Sequence, residues 1–132
     1  MVRLHLWLET EEGVFFGLGR LQLLERIESR GSLKAAAASL DMSYRAAWGK
    51  IKRTERILGF SLIEKTAGNR SGYRLTEVGQ LLMDRYRQWL TEVEELALER
   101  ARKLLPCDPC GYGRPAGDSR ELPIHSKMGK AS

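Results

Sequence analysis

The first part of the chain alternates apolar and polar residues, and this pattern predicts a β-hairpin. Leu4, Leu6 and Leu8 fall on one face of residues 3–9, which is the two-residue period of a half-buried strand. Polar residues and a glycine then form a turn, and residues 14–16 return as a second strand. We therefore expect a small antiparallel hairpin at the start of the domain.

Three short helices are predicted next, because apolar residues recur at intervals of three or four. The expected helices span residues 21–29, 33–40 and 44–58. Ser32 and Ser43 are suitable N-caps for the second and third helices, and Gly31 and Gly59 are suitable stops for the first and third. A very short turn joins the second helix to the third, so the pair forms a helix-turn-helix.

Two short strands are predicted after the third helix, at residues 62–63 and 73–75. Between them, residues 65–72 form a basic loop that contains two glycines. A basic loop between two strands next to a helix-turn-helix predicts a wing, which is a hairpin placed against the adjacent groove of DNA.

A long helix is predicted from residue 76 to about residue 105. Apolar residues follow one another along it at intervals of four, three, four and three, a period near 3.5 that is typical of a helix packed along another helix. These residues are Leu82, Tyr86, Trp89, Val93 and Leu96. Because so small a chain hardly covers this long stripe by itself, we expect a homodimer. The alternative is that the helix lies across its own domain.

The fold class expected from these elements is mainly α with small β elements. It is a winged helix-turn-helix with an N-terminal β-hairpin and a long C-terminal dimerisation helix. Residues 1–105 would form this DNA-binding and dimerisation domain. Residues 106–132 have few large apolar residues and no periodicity, and we expect a flexible tail there.

The composition, with 42% hydrophobic and 30% charged residues, is sufficient for one core and excludes a wholly disordered chain. No segment approaches the roughly 18 consecutive apolar residues of a membrane span, and the first residues lack the apolar region of a secretory signal. We therefore expect a cytoplasmic protein. The two histidines are far apart, and neither a nucleophile–base group nor a phosphate loop is present, so we expect no enzyme and no cofactor.

Positive charge is concentrated in one quarter of the chain. Residues 43–74 contain eight basic and two acidic residues, a net charge of +6, whereas the whole chain carries +5. A polyanion partner explains this concentration, and so does a solvated helix face. Together with the helix-turn-helix and the wing, the charge favours duplex DNA as the partner. The rival hypothesis is a protein-interaction module that acts through the long helix.

The candidate DNA-binding residues lie on the recognition helix, before it and in the wing. The N-terminal part of the second helix of a helix-turn-helix enters the major groove. There Ser43 would meet a phosphate, Tyr44 a sugar–phosphate or a thymine methyl, and Arg45 a guanine edge. The other candidates are Ser32, Lys50, Lys52, Arg53, Lys65, Asn69, Arg70 and Arg74. For Trp48, one turn after Tyr44, bracing the helix is favoured over contacting DNA.

Residues 31–37 and 42–48 resemble the N-terminal DNA-binding domain of the molybdate-responsive regulator ModE. The run Ser-Tyr-x-x-Ala-Trp is the most specific part, and the likeness covers about residues 3–104. Residues 51–79 are more loosely similar to the winged helix of LysR-type regulators. The resemblance implies a dimeric winged helix-turn-helix that binds operator DNA, with the long helix central to dimerisation.

This sequence departs from the ModE pattern in two places. Its wing has fewer glycines than is usual in the family, which affects the transfer of wing contacts. Only 27 residues follow Leu105, so we expect no molybdate-binding module in this chain. The effector is therefore not implied by the resemblance.

A metal- or redox-responsive function is a further hypothesis, and it rests on Cys107 and Cys110. His125 is a third candidate ligand. Zinc usually needs four ligands, and the flanking prolines favour a loop over the helix start of a thioredoxin-like site. Tail cysteines without a metal are the favoured interpretation.

Overall fold

Four helices and two short hairpins make up the part of the chain that the computed structural model describes, residues 1–68 and 72–109. In chain order they are β1 (Trp7–Thr10), β2 (Gly13–Gly17), α1 (Leu18–Arg30), α2 (Leu33–Ser39), α3 (Tyr44–Leu58), β3 (Ile63–Lys65), β4 (Tyr73–Leu75) and α4 (Glu77–Leu104). β1 pairs with β2, and β3 pairs with β4, both antiparallel. The predicted fold class is confirmed.

The chain divides into two compact units. One comprises residues 5–88, with both hairpins, the three short helices and the first part of α4. The other comprises residues 1–4 and, of the described residues beyond α4's third turn, residues 89–109. The predicted boundary between residues 105 and 106 is a different division, and it stays a prediction.

The N-terminal hairpin is shorter than predicted, and its first strand is not half-buried. The register of β1 on β2 shifts between Leu8 and Glu9, and all four residues of β1 are exposed. Leu4 and Leu6 precede the strand and are half-buried, whereas Leu8 is exposed. The expected common face is therefore wrong for Leu8, because the register shift interrupts the alternation and β1 has a neighbour on one side alone in its sheet.

Local capping fixes the starts of α2 and α3 and the ends of α1 and α3, as the sequence predicted. The hydroxyl oxygens of Ser32 and Ser43 each accept the backbone N–H three residues further on, at 3.0 Å. Gly31 and Gly59 follow α1 and α3 with φ values of 76° and 85°, in the left-handed region that favours glycine. α1 begins at Leu18, three residues earlier than predicted, and follows β2 without an intervening loop.

The core of residues 5–88 lies between the short helices, β2 and the start of α4. Leu23, Leu24 and Ile27 of α1 are completely buried. They pack in a core whose other fully or nearly buried members include Phe16, Leu33, Ala36, Ala37, Ala47, Ile51, Leu62 and Met83. The buried alanines of α2 and α3 are small, which allows these two helices to pack closely. The opposite face of α3 is exposed.

Tyr86 of α4 belongs to this core and not to an exposed dimer stripe. Its side chain is 4% exposed, and its ring packs edge-to-face on Phe16 with centroids 5.2 Å apart. Its hydroxyl donates to the backbone oxygen of Leu6 at 2.6 Å. The structure thus places Tyr86 in the core of residues 5–88, and its predicted contact with a partner stays a prediction. Helical spacing alone does not show that the first turns of α4 pack on their own domain. Leu82 is half-buried on the same part of α4.

In the second unit, the start of the chain lies beside the later turns of α4. Met1 and Val2 line a shallow groove together with Leu98 of α4. Trp89 precedes Leu98 by nine residues, or two and a half helical turns, and therefore lies on the opposite side of α4. On that side Trp89 is 39% and Leu96 is 56% exposed. In neither described range is a helix both long and apolar enough to cross a bilayer.

Candidate nucleic-acid interface

The crossing of α2 and α3 depends on a sharp turn between them. Asp41 adopts a left-handed φ of 55°, a conformation that aspartate tolerates better than most residues. The Met42 N–H donates to the Ala37 carbonyl at 3.0 Å and closes the end of α2. Arg26 of α1 donates to the Ser39 hydroxyl at 2.9 Å and holds α2 from the other side. The first turn of α3 is left facing solvent.

Three predicted DNA-binding residues meet at this first turn. Ser43, Tyr44 and Arg45 are all exposed, Tyr44 to 47%. The Ser43 oxygen accepts the cap hydrogen bond, and its hydroxyl hydrogen can still donate to an outside acceptor. None of the ion pairs among the described residues involves Arg45. The positive end of the α3 dipole adds to this local charge.

Exposed residues continue along one side of α3 at intervals of four, three and four. This exposed basic face comprises Arg45, Gly49, Lys52 and Arg56. Lys52 is paired with Glu55 of its own helix at 2.9 Å, and Arg56 lies 3.8 Å from the Glu12 carboxylate. Arg56 was not among the predicted contacts, although its spacing from Lys52 is the signal that would have found it.

Arg53 turns away from this face toward the N-terminal hairpin. Its guanidinium donates to the Glu12 carbonyl at 2.5 Å, and its side chain is half-buried. Burial, and secondly the charge of Arg53, lower the pKa of the Arg20 guanidinium. Arg53 therefore lies off the exposed basic face although it is adjacent to Lys52 in sequence, because one residue turns the helix by 100°. Its predicted phosphate contact stays a prediction. Lys50 is also half-buried, off the exposed basic face.

The buried carboxylate of Glu55 joins α3 to the second hairpin, β3 with β4, which is the wing. Its Oε2 accepts the backbone N–H of Leu62 at 2.6 Å and that of Ile63 at 3.3 Å. Thr54, fully buried beside it, donates to the carbonyl of Phe15 in β2. The sequence assigns Glu55 no structural role beyond its charge and its place in the LysR-type likeness, because its acceptor role depends on a contact seven residues away.

The wing is also held to the turn between α1 and α2. The Tyr73 N–H of β4 donates to the Gly31 carbonyl at 3.0 Å, and Ser32 forms a β-bridge with Gly72. Ser32, a predicted DNA-binding residue, is consequently half-buried beside the base of the wing. The structure thus brings the start of α2 next to the wing.

The charged residues of the wing are arranged differently. Arg74 is exposed and pairs across the strands with Glu64, with 2.8 Å between its Nε and the carboxylate. Lys65 is exposed at the end of β3. The predicted contacts Asn69 and Arg70 lie outside the described residues.

An aromatic cluster connects α3 with β4. The rings of Tyr44 and Trp48 are stacked at 11°, with centroids 6.3 Å apart, and Trp48 meets Tyr73 edge-to-face at 6.1 Å. The Lys52 ammonium lies 4.4 Å from the centre of the Trp48 ring. The half-buried indole thus braces the helix against a neighbour, the role that the sequence favoured.

The hypothesis of a metal- or redox-responsive function through Cys107 and Cys110 gains no support from the described residues. Cys107 is exposed and free, and no group of three metal-ligating side chains occurs within residues 1–68 and 72–109. The other two candidates, Cys110 and His125, lie outside the described residues.

Comparison with known proteins shows which families this chain is similar to. Residues 18–80, from the start of α1 to the start of α4, match the model of the bacterial regulatory helix-turn-helix protein, lysR family. Among curated proteins, the chain is 34% identical over 100 residues to the molybdenum transport protein ModE of Azotobacter vinelandii. That match covers 74% of this chain and 37% of ModE. The molybdenum-pterin-binding protein MopA of Rhodobacter capsulatus is 35% identical over 69 residues, 51% of this chain and 26% of MopA.

A solved structure shows the same arrangement of helices. The DNA-binding domain of CbnR, crystallised as a complex with DNA, superposes with a TM-score of 0.51 at 25% identity. The match covers 64% of this chain and 93% of that domain. The chain spans about a third of the length of the curated relatives it matches. These comparisons confirm the likeness to ModE and to LysR-type domains, and they support a DNA-binding helix-turn-helix regulator of this kind.

Proposed function

We propose that this chain is a transcriptional regulator of the ModE type that binds a specific operator as a homodimer through α3 and the wing. One observation supports this most: the first turn of α3 presents Ser43, Tyr44 and Arg45 to solvent, next to a wing anchored on the same helix. A major groove admits one α-helix, and the residues at its N-terminus reach the base edges.

Charge explains how a duplex would be held. The +6 segment, residues 43–74, includes the exposed basic face and the wing strands. Arg56 and Arg74 are paired with exposed carboxylates, and such surface pairs contribute little, so a phosphate can compete for these two cations. Lys52 is exposed as well, although its carboxylate partner Glu55 is buried. Arg45, exposed in the first turn of α3, would meet a guanine edge bidentately. The phosphate contacts would then supply affinity for any duplex, and Arg45 would supply the preference for one sequence.

Dimerisation would use the later turns of α4. Trp89, Val93 and Leu96 lie on the side of α4 away from Met1 and Val2, and Leu96 is more than half exposed. An apolar row at intervals of four and three is the pattern with which two helices pack along each other. This placement supports a second copy of the chain as the partner, and an inverted repeat as the preferred DNA.

The experiment compares Arg45→Ala with Arg85→Ala, which removes the same charge from α4. The probes are a duplex selected by the wild-type protein from random sequences and a scrambled duplex of equal length. Arg45→Ala is expected to weaken the selected duplex by about 1–3 kcal/mol and the scrambled one by much less, because a bidentate base contact is lost. Arg85→Ala should change both affinities little. Equal weakening of both duplexes by Arg45→Ala would place α3 outside the major groove.

A further inference from the structure

Trp48 is in contact with both elements that the proposed function brings to DNA. Its ring stacks on Tyr44, in the first turn of α3, and meets Tyr73 of β4 edge-to-face. Tyr44 is one of the proposed DNA contacts, and Tyr73 belongs to the wing. Trp48 itself is half-buried, whereas Tyr44 is 47% exposed. The indole therefore supports the contact surface from behind.

The contacts with Trp48 restrict side chains that would otherwise rotate. An exposed tyrosine on a first helical turn has several open rotamers, and stacking on a half-buried ring selects one of them. Lys52 is restricted in the same way, since its ammonium lies between the Trp48 ring and the Glu55 carboxylate. Two members of the DNA-facing side of α3 thus take their orientation from one indole.

The wing is fixed to α3 at both of its strands. Glu55 holds the chain entering β3, and the edge-to-face contact of Tyr73 with Trp48 holds β4. A backbone hydrogen bond from Tyr73 to Gly31 fixes the same strand to the end of α1. The Trp48–Tyr73 contact is thus the side-chain contact that joins β4 directly to α3, beside the backbone attachments of the wing.

We propose that Trp48 is a positioning residue that determines DNA specificity without touching a base. It holds the Tyr44 ring and β4 in the relative placement that fits the preferred sequence, and this inference rests on the proposed function. A duplex of the preferred sequence binds more tightly when the Tyr44 ring and β4 are already held in the matching placement. Contacts with phosphates alone tolerate a looser geometry. Loss of the indole should therefore lower discrimination more than general affinity.

The test measures dissociation constants for the selected and the scrambled duplex at one salt concentration, with four variants. Trp48→Leu removes the ring, Trp48→Phe retains a ring that can stack, and Tyr73→Leu removes the partner on β4. Trp7→Leu is the control, because it removes an exposed tryptophan from β1, at 52% exposure. Circular dichroism and thermal unfolding establish that each variant is folded.

We expect Trp48→Leu to lower the ratio of selected to scrambled affinity about tenfold, equivalent to 1.4 kcal/mol, with scrambled affinity within about twofold of wild type. Trp48→Phe should keep most of the ratio. Tyr73→Leu should also lower the ratio. The double variant Trp48→Leu/Tyr73→Leu should have nearly the same ratio as Trp48→Leu alone, because both substitutions remove the same Trp48–Tyr73 contact. Trp7→Leu should leave the ratio unchanged.

Three results would overturn the inference. The first is an unchanged ratio in folded Trp48→Leu with both affinities kept, the second is an unchanged ratio with both affinities lowered equally, and the third is a Trp48→Phe variant as impaired as Trp48→Leu. If Trp48→Leu does not fold, Tyr73→Leu decides, since an unchanged ratio there contradicts the role of the wing contact. Failure of the proposed function looks different: the wild-type protein itself would then select no sequence from random duplexes.

Discussion

Consecutive residues of α3 perform different tasks, and the direction in which each side chain points decides which one. Lys52 lies on the exposed basic face, Arg53 turns to the N-terminal hairpin, and Glu55 is buried against the start of β3. The three side chains are charged, so composition does not separate them. Their tasks differ because each residue turns the helix by 100° and so meets different neighbours in the fold. Basic residues of a recognition helix are therefore not equivalent in mutagenesis.

Two helical glycines provide a test at the residue scale. A Cβ added to Gly79 of α4 would overlap the carbonyl oxygen of Leu62, whereas one added to Gly49 of α3 meets no atom within 4 Å. Gly79→Ala should therefore destabilise the protein by about 1–3 kcal/mol through overpacking against backbone. Gly49→Ala should stabilise it by about 0.5–1 kcal/mol, because alanine is the better helix former. Urea unfolding measures both, and a stabilised Gly79→Ala variant would contradict the close approach of α4 to the Leu62 carbonyl.

At the scale of the elements, the recognition helix and the wing behave as one unit because buried groups join them. The Glu55 carboxylate satisfies two backbone N–H groups at the entry to β3. The surface contact between Arg74 and Glu64 holds the two strands of the wing to each other. Buried acceptors of this kind contribute more than exposed ion pairs, because their loss leaves unpaired donors inside the protein.

Replacing Glu55 by alanine should consequently loosen the wing. The expected cost is about 1–3 kcal/mol of unfolding free energy, since the Leu62 and Ile63 N–H groups lose their acceptor. Amide hydrogen exchange of these two groups should accelerate more than that of α1. The control is Glu64→Ala, an exposed carboxylate whose loss should cost under about 1 kcal/mol. If both variants are equally stable, Glu55 does not hold the wing.

Element boundaries were predictable where the signals are local. The caps at Ser32 and Ser43 and the glycine stops place α2 and α3 within a residue of their actual ends. Long-range contacts were not predictable: the buried side of Glu55, the hairpin contact of Arg53 and the packing of Tyr86 on Phe16 depend on residues distant in sequence. Their residue types fit other roles equally well when the fold is not known.

At the scale of the whole molecule, the proposed dimer makes an independent prediction. Leu96→Glu should abolish self-association, because a carboxylate on the apolar row of α4 would be buried without a partner. Gln88→Glu is the control, as it adds the same charge at an exposed polar position of the same helix. Sedimentation equilibrium should show a wild-type dimer, a Gln88→Glu dimer and a Leu96→Glu monomer. A wild-type protein that is monomeric at every concentration would contradict the dimer.

The central claim is that α3 and the wing bind a particular duplex sequence. The most direct measurement is selection of the wild-type protein on random duplex DNA, followed by dissociation constants for the enriched and a scrambled duplex at several salt concentrations. The account predicts an inverted repeat with half-sites about one helical turn apart, bound about a thousandfold more tightly than the scrambled duplex. Both affinities should fall linearly with salt on logarithmic axes. No enriched sequence, or binding that does not respond to salt, would contradict it.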